Sequence, residues 1–137
     1  MKKSRPLIGI IAAEAEYVFF SNALNTIQKE LFAANMDAAV FSSLMMSGNA
    51  EFDAAENSVY DLVDFDLLDG IIIFPSSIND ATSRERLIAR IKSDFKGPVV
   101  SFDSQVDGFA NCLYNYEPVA DMMVSHIMDH HLSLIHI

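Results

Sequence analysis

Short apolar runs constrain this chain more than any other feature: PLIGIIAA, DAAVFSS, IIIFPSS and PVVSFD. A strand buried on both faces reads as a continuous run of this kind, whereas a half-exposed strand alternates. Between the runs lie longer stretches with apolar residues at helical spacing. Phe20, Ala23, Leu24, Ile27 and Leu31 form one such set, and Leu87, Ile88, Ile91 and Phe95 another. EFDAAENSVYDLVDFDLLDG predicts a further helix, with Val59, Leu62 and Val63 on one side and acids on the other. Asn35 is placed to end the first helix, and Gly70 turns the chain into the third strand. FANCLYNY predicts a fifth strand. EPVADMMVSHIMDHH predicts a last, sheet-covering helix with Glu117 and Pro118 in its first turn. Strands alternating with helices mean βαβ units. The expected fold is α/β, a doubly wound parallel sheet with right-handed crossovers and helices on both faces.

In such sheets ligands sit at the carboxyl ends of the strands. The residues placed there are Glu14, Tyr17, Phe19, Phe20, Met46, Phe74, Ser76, Ser77 and Asp103. They make a mixed aromatic and polar set, the lining of a small-molecule pocket. Phe20 and Phe74 also read as core. Asp103 stands where a buried strand opens to the ligand edge, so a ligand or hinge hydrogen bond is expected of it.

Several chemistries lack their motifs. The turn after the first strand reads AAEAEY, with no G-x-G-x-x-G and two glutamates that would repel phosphate. A phospho-accepting receiver domain would want an aspartate after the third strand, where Phe74-Pro75 stands, and a late lysine, where none follows Lys96. No serine sits in a nucleophile elbow. No catalytic residue and no cofactor are expected; a small doubly wound enzyme or receiver-like phosphotransfer domain is the alternative.

The net charge of −10 disfavours nucleic acid and anionic lipid as partners of this segment. Its one basic cluster, Arg84, Arg86, Arg90 and Lys92, reads as a solvated helix face. Cys112 is alone, so there is no disulfide framework, and it reads as a buried thiol. The apolar run after MKKSR is too short for a secretion signal, and no stretch has the length of a membrane span, so a cytoplasmic chain is expected.

The order of these motifs resembles the effector-binding domain of the LacI/GalR family, a periplasmic-binding-protein-like type I fold. PLIGIIAAEAEYVFFSNALNTIQKELFAANMDAAVF resembles the family's opening strand, a loop into a paired-Phe helix start, and the second strand. LLDGIIIFPSS resembles its third strand with the polar turn after it, and GPVVSFDS the strand that ends in an aspartate. PVADMMVSHIMDHH resembles the helix that follows. The resemblance covers residues 6–131 and implies a partial N-terminal lobe. It implies a small-molecule effector contacted by Phe19 and Asp103, and a homodimer at full length. Met46 and Phe74 stand where sugar-binding members often carry Arg and Asn, which points toward a less polar ligand. The chain opens at strand one, without the family's DNA-binding module. It is also similar to LacI-like sensors placed ahead of GGDEF diguanylate cyclase or kinase modules. The expected function is effector sensing in a bacterial regulator, of transcription or of diguanylate cyclase-type signalling.

All four histidines fall in SHIMDHHLSLIHI. His126 and His130 stand at i, i+4, a spacing able to hold a metal. They lie within the apolar stripe, however, with no third ligand at a fixed spacing, so no metal site is expected. LSLIHI departs from the family pattern and matches the translation of a transposon mosaic-end sequencing adapter. Residues 132–137 are therefore expected to be an artefact, outside the fold.

Overall fold

The computed structural model describes residues 5–15, 17–44 and 49–131. The elements are β1 (Leu7–Ala13), α1 (Val18–Ala33), β2 (Asp37–Ser43), α2 (Ala50–Asn57), β3 (Gly70–Ile73), α3 (Ala81–Asp94), β4 (Val99–Phe102), β5 (Ala110–Cys112) and α4 (Glu117–His131). One parallel sheet contains all five strands in the order β2-β1-β3-β4-β5. The chain moves outward from β1 to β2, then returns to the other side of β1 to lay down β3. The switch point is thus the crevice between β1 and β3, where open α/β sheets bind their ligands.

The expected α/β sheet is present, and strand alternation sorts its residues onto two faces. Ile11, Ala13, Ile71 and Ile73 point to one, where they meet Leu87, Ile91 and Phe95 of α3 and its end, with Tyr60 and Val63. Ile10 and Ala12 point to the other, where Leu24, Phe20, Ala23 and Ile27 of α1 cover them. Burying an aliphatic side chain of this size contributes about 1.5–3 kcal/mol. The fully buried isoleucines of β1 and β3 are therefore the main driving force.

Local chemistry ends the helices where the sequence indicates. Asn35 adopts φ +59°, in the left-handed region that Asn tolerates. The Asn35 amide donates to Phe32 O at 3.0 Å and that of Met36 to Leu31 O at 2.8 Å, which satisfies the last carbonyls of α1. Asp80 caps α3, its carboxylate accepting the Ser83 amide at 2.7 Å. Gly9 lets Leu68 seat against β1, since a Cβ there would lie 2.6 Å from Leu68 Cδ1.

Four expectations need correction. The long helix across residues 51–70 stops at Asn57 and continues as 3-10 turns, Ser58–Leu62 and Phe65–Leu67. Asp64 caps the second turn through Asp66 N at 3.1 Å, local side-chain bonding that competes with a continuous helix. The tighter winding buries Tyr60 and Val63 and sends Leu62 outward. The basic residues of α3 are not one solvated face. Arg84 donates to Ile78 O at 2.9 Å, and Arg90 donates to Tyr60 O at 3.0 Å while lying over the Phe65 ring. Cys112 is exposed, because β5 is a three-residue edge strand with no covering element. Finally, α4 joins neither core cluster, and Glu117 to His130 are all exposed. An apolar stripe says which side of a helix buries; burial also requires a surface to receive it.

Candidate functional site

The carboxyl edge of the sheet is built from the turns after β1, β3, β4 and β5. After β1 the chain bends at Glu14, which takes φ +54°; its amide donates to Ser43 O at 2.9 Å. Its carboxylate accepts from Asn79 Nδ2 at 3.3 Å across the switch-point crevice. After β3, Phe74 donates its amide to Ile11 O at 2.9 Å, and the turn Pro75–Ser77 follows. The Ser77 hydroxyl donates to Phe74 O at 2.7 Å and accepts the Ala13 amide at 2.8 Å. Ser77 is buried and holds the two turns together, whereas Ser76 is exposed. Beneath Glu14, Tyr60 Oη donates to Ala12 O at 2.9 Å and pairs with Ser43 Oγ at 2.8 Å. Burial pushes the Tyr60 phenol above its usual range, with the Ser43 bonds opposing and the Glu14 charge adding to the rise.

After β4 the chain bends again at Asp103, φ +59°, whose amide donates to Cys112 O at 2.9 Å. Ser101 secures the turn from below, donating to Ser104 O at 2.6 Å. Both acidic residues therefore occupy left-handed backbone at strand ends, where side chains are aimed by the turn. Left-handed φ costs most residues about 1–2 kcal/mol, and Asp tolerates it better than most.

Aromatic rings form a closed circuit over this edge. Phe19 meets Phe20 edge-on at 5.3 Å between centroids, Phe20 meets Phe74 at 6.0 Å, and Phe74 meets Phe102 at 4.8 Å. Phe102 meets Tyr114 at 5.6 Å, and Tyr114 returns to Phe19 at 6.1 Å. Tyr116 extends the circuit from Tyr114 at 5.5 Å. Phe74 is fully buried and anchors the set, while Phe19, Tyr114 and Tyr116 keep exposed faces at the rim, as does Tyr17 beside them in sequence. Partial loss of hydration, then the charge of Asp103, then Tyr114, push the Tyr116 phenol above its ordinary range.

An open depression of about 360 Å³ lies beside the rim, lined by Phe19, Asn22, Ala23, Thr26, Ile27, Phe102 and Tyr114. A second, of about 350 Å³, is lined by Pro75, Ser76, Arg84, Ile88, Ser104, Gln105 and Val106. Of the residues expected at the site, Phe19, Phe20 and Phe74 share the circuit, and Glu14 and Asp103 flank it. Ser77 is committed internally, and Met46 lies outside the described residues. Sequence reasoning missed Phe102, Tyr114, Tyr116 and Asn79. The alternating tyrosines in LYNY, following an edge strand, were the one available signal. The His126 and His130 rings lie 4.8 Å apart between centroids on α4, tilted by 52°; no three metal-ligating side chains converge among the described residues. Nor is any helix among them long and apolar enough to cross a membrane.

No family model matches this chain, and no curated protein does. Among solved structures it is similar to the lac repressor dimer bound to operator and the anti-inducer ONPF, with a TM-score of 0.68 and 15% identity. The alignment covers 93% of this chain and 42% of the repressor chain, so this chain spans well under half of its neighbour's length. The likeness is one of fold: the five-stranded parallel sheet with its flanking helices is similar to part of that repressor chain.

Proposed function

We propose that this chain is part of a small-molecule sensing domain in a bacterial regulator, contributing one lobe of the ligand site. The observation that carries the reading is the aromatic circuit at the carboxyl edge. It has a buried anchor at Phe74 and an open rim at Phe19 and Tyr114, flanked by Glu14 and Asp103. Beneath it, hydrogen bonds of Ser77 and Tyr60 tie the ends of β1, β2 and β3 together, which supports reading this edge as a preformed site. The fold neighbour, a repressor solved with operator and the anti-inducer ONPF, supports the same class.

Sensing needs no chemistry from these residues. It requires a ligand that binds one arrangement of the lobes more tightly than another, which biases the coupled output. A dimer at full length and a facing second lobe are parts of this proposal. A thermal-shift screen of small molecules against the full chain tests it. A hit is expected to raise the melting midpoint in wild type and to lose its effect in Asp103→Asn, a change the left-handed backbone accommodates. Hits that stabilise both proteins equally would contradict the assigned site.

A further inference from the structure

The chemistry of the rim narrows the ligand class. Exposed rings belong to Tyr17, Phe19, Tyr114 and Tyr116; the Asp103 charge acts on Tyr116, and Glu14 stands at the neighbouring turn after β1, bonded to Asn79. The chain carries no Lys or Arg between Glu30 and Arg84 and none after Lys96, so β2, β5 and the segments that follow them bring no Lys or Arg to this edge. Glu14 follows β1 and Asp103 follows β4, with β3 between them. Strand spacing therefore sets the backbones of these two turns about 10 Å apart, on either side of the β3 turn that carries Phe74.

Two features oppose a negative site. The N-terminus of α1, which begins after Tyr17 with no side-chain cap, is worth about half a positive charge. Arg84 lines the second depression, where it donates to Ile78 O at 2.9 Å. On the aromatic side the acidic group is Asp103, whose charge acts on Tyr116, while Glu14 is turned toward Asn79. Ring faces carry negative quadrupole density, and a cation within about 6 Å of a ring centroid is attracted to it. Aromatic faces with the Asp103 carboxylate beside them fit a positively charged organic group.

Building on the sensing role, we propose that the ligand of this edge is an organic cation, such as a quaternary or aromatic ammonium compound. It would lie against Phe19 and Tyr114 with its charge toward Asp103. Three probes of one size and shape separate the possibilities: benzyltrimethylammonium, benzyl alcohol and benzoate, at matched ionic strength. The chain has four tyrosines and no tryptophan; Tyr114 and Tyr116 stand at the rim, and Tyr17 is exposed at the start of α1. Intrinsic tyrosine fluorescence of the full chain therefore reports binding directly.

The cation is expected to bind saturably and about tenfold more tightly than the alcohol, a difference of about 1.4 kcal/mol. Asp103→Asn is expected to remove most of that difference while leaving the circular dichroism spectrum and melting midpoint near wild type. Equal or tighter binding of the alcohol or of benzoate at the tyrosine rim would overturn the cation class and leave the sensing role standing. If none of the three probes, nor any compound of a neutral library, perturbs the rim tyrosines, both fall together.

Discussion

The hydroxyl of Ser77 accepts the backbone amide of Ala13 at 2.8 Å, across 64 residues of chain, and donates to Phe74 O. This one side chain fastens the end of β1 to the turn after β3 and so sets the width of the switch-point crevice. Ser77→Ala would leave a buried N–H unsatisfied. The expected loss is about 1–3 kcal/mol of stability, measured by urea unfolding. A loss within error of zero would show that the crevice is not held this way.

Tyr60 makes a second buried link, to Ala12 O and Ser43 Oγ. Tyr60→Phe keeps the ring and is expected to cost about 1–2 kcal/mol. The phenol also predicts alkaline behaviour. Its folded pKa is raised by burial, so the unfolded chain loses this proton first as the pH passes about 10. Stability from this group is complete below that value and is lost as the pH rises through the folded pKa. As the pH rises above about 10, wild type should lose stability more steeply than Tyr60→Phe. Parallel curves for the two proteins would refute the assignment.

Asp80 gives the opposite sign. The hydrogen bonds from Ser83 hold its carboxyl below the usual range. Its contribution is present above the unfolded pKa of about 4 and is lost as the pH falls through the folded value. Asp80→Ala should cost about 0.5–2 kcal/mol at neutral pH, whereas Asp80→Asn keeps the cap and flattens the acid limb. Thermal melts from neutral to acid pH distinguish the two variants, and an Asn variant as unstable as Ala would rule out capping as the cause.

Most strands were legible in the sequence because a strand buried on both faces leaves a continuous apolar run, as in LIGIIAA and GIII. The stretch after α2 was not, because Tyr60 and Val63 reach the core through 3-10 winding, which helical periodicity cannot represent. At the candidate site, the placement of Glu14, Phe19, Phe74 and Asp103 beyond the strand ends was legible from the order of strands. Tyr114 and Tyr116 were not, since they follow an edge strand of three residues whose exposed side chains carry no alternation. The burial expected of α4 failed for a related reason: amphipathicity in Val119, Met122 and Ile127 records a face, not its partner.

Residues 132–137 carry a separate prediction. If they are translated adapter sequence, genomic reads across this locus will diverge from LSLIHI immediately after His131 and continue an open reading frame into a further strand. Reads that encode LSLIHI in unbroken genomic DNA would return those residues to the protein.

The central claim is that ligand binds at the carboxyl edge between the turns after β1, β3 and β4. Hydrogen exchange read by mass spectrometry, with and without a compound that stabilises the full chain, tests it most directly. The account predicts added protection in segments 11–20, 74–80, 101–104 and 112–116, with none at the opposite end of the sheet around Gly97, Pro98 and Gly108. Protection confined to that opposite end, or to the exposed face of α4, would contradict it.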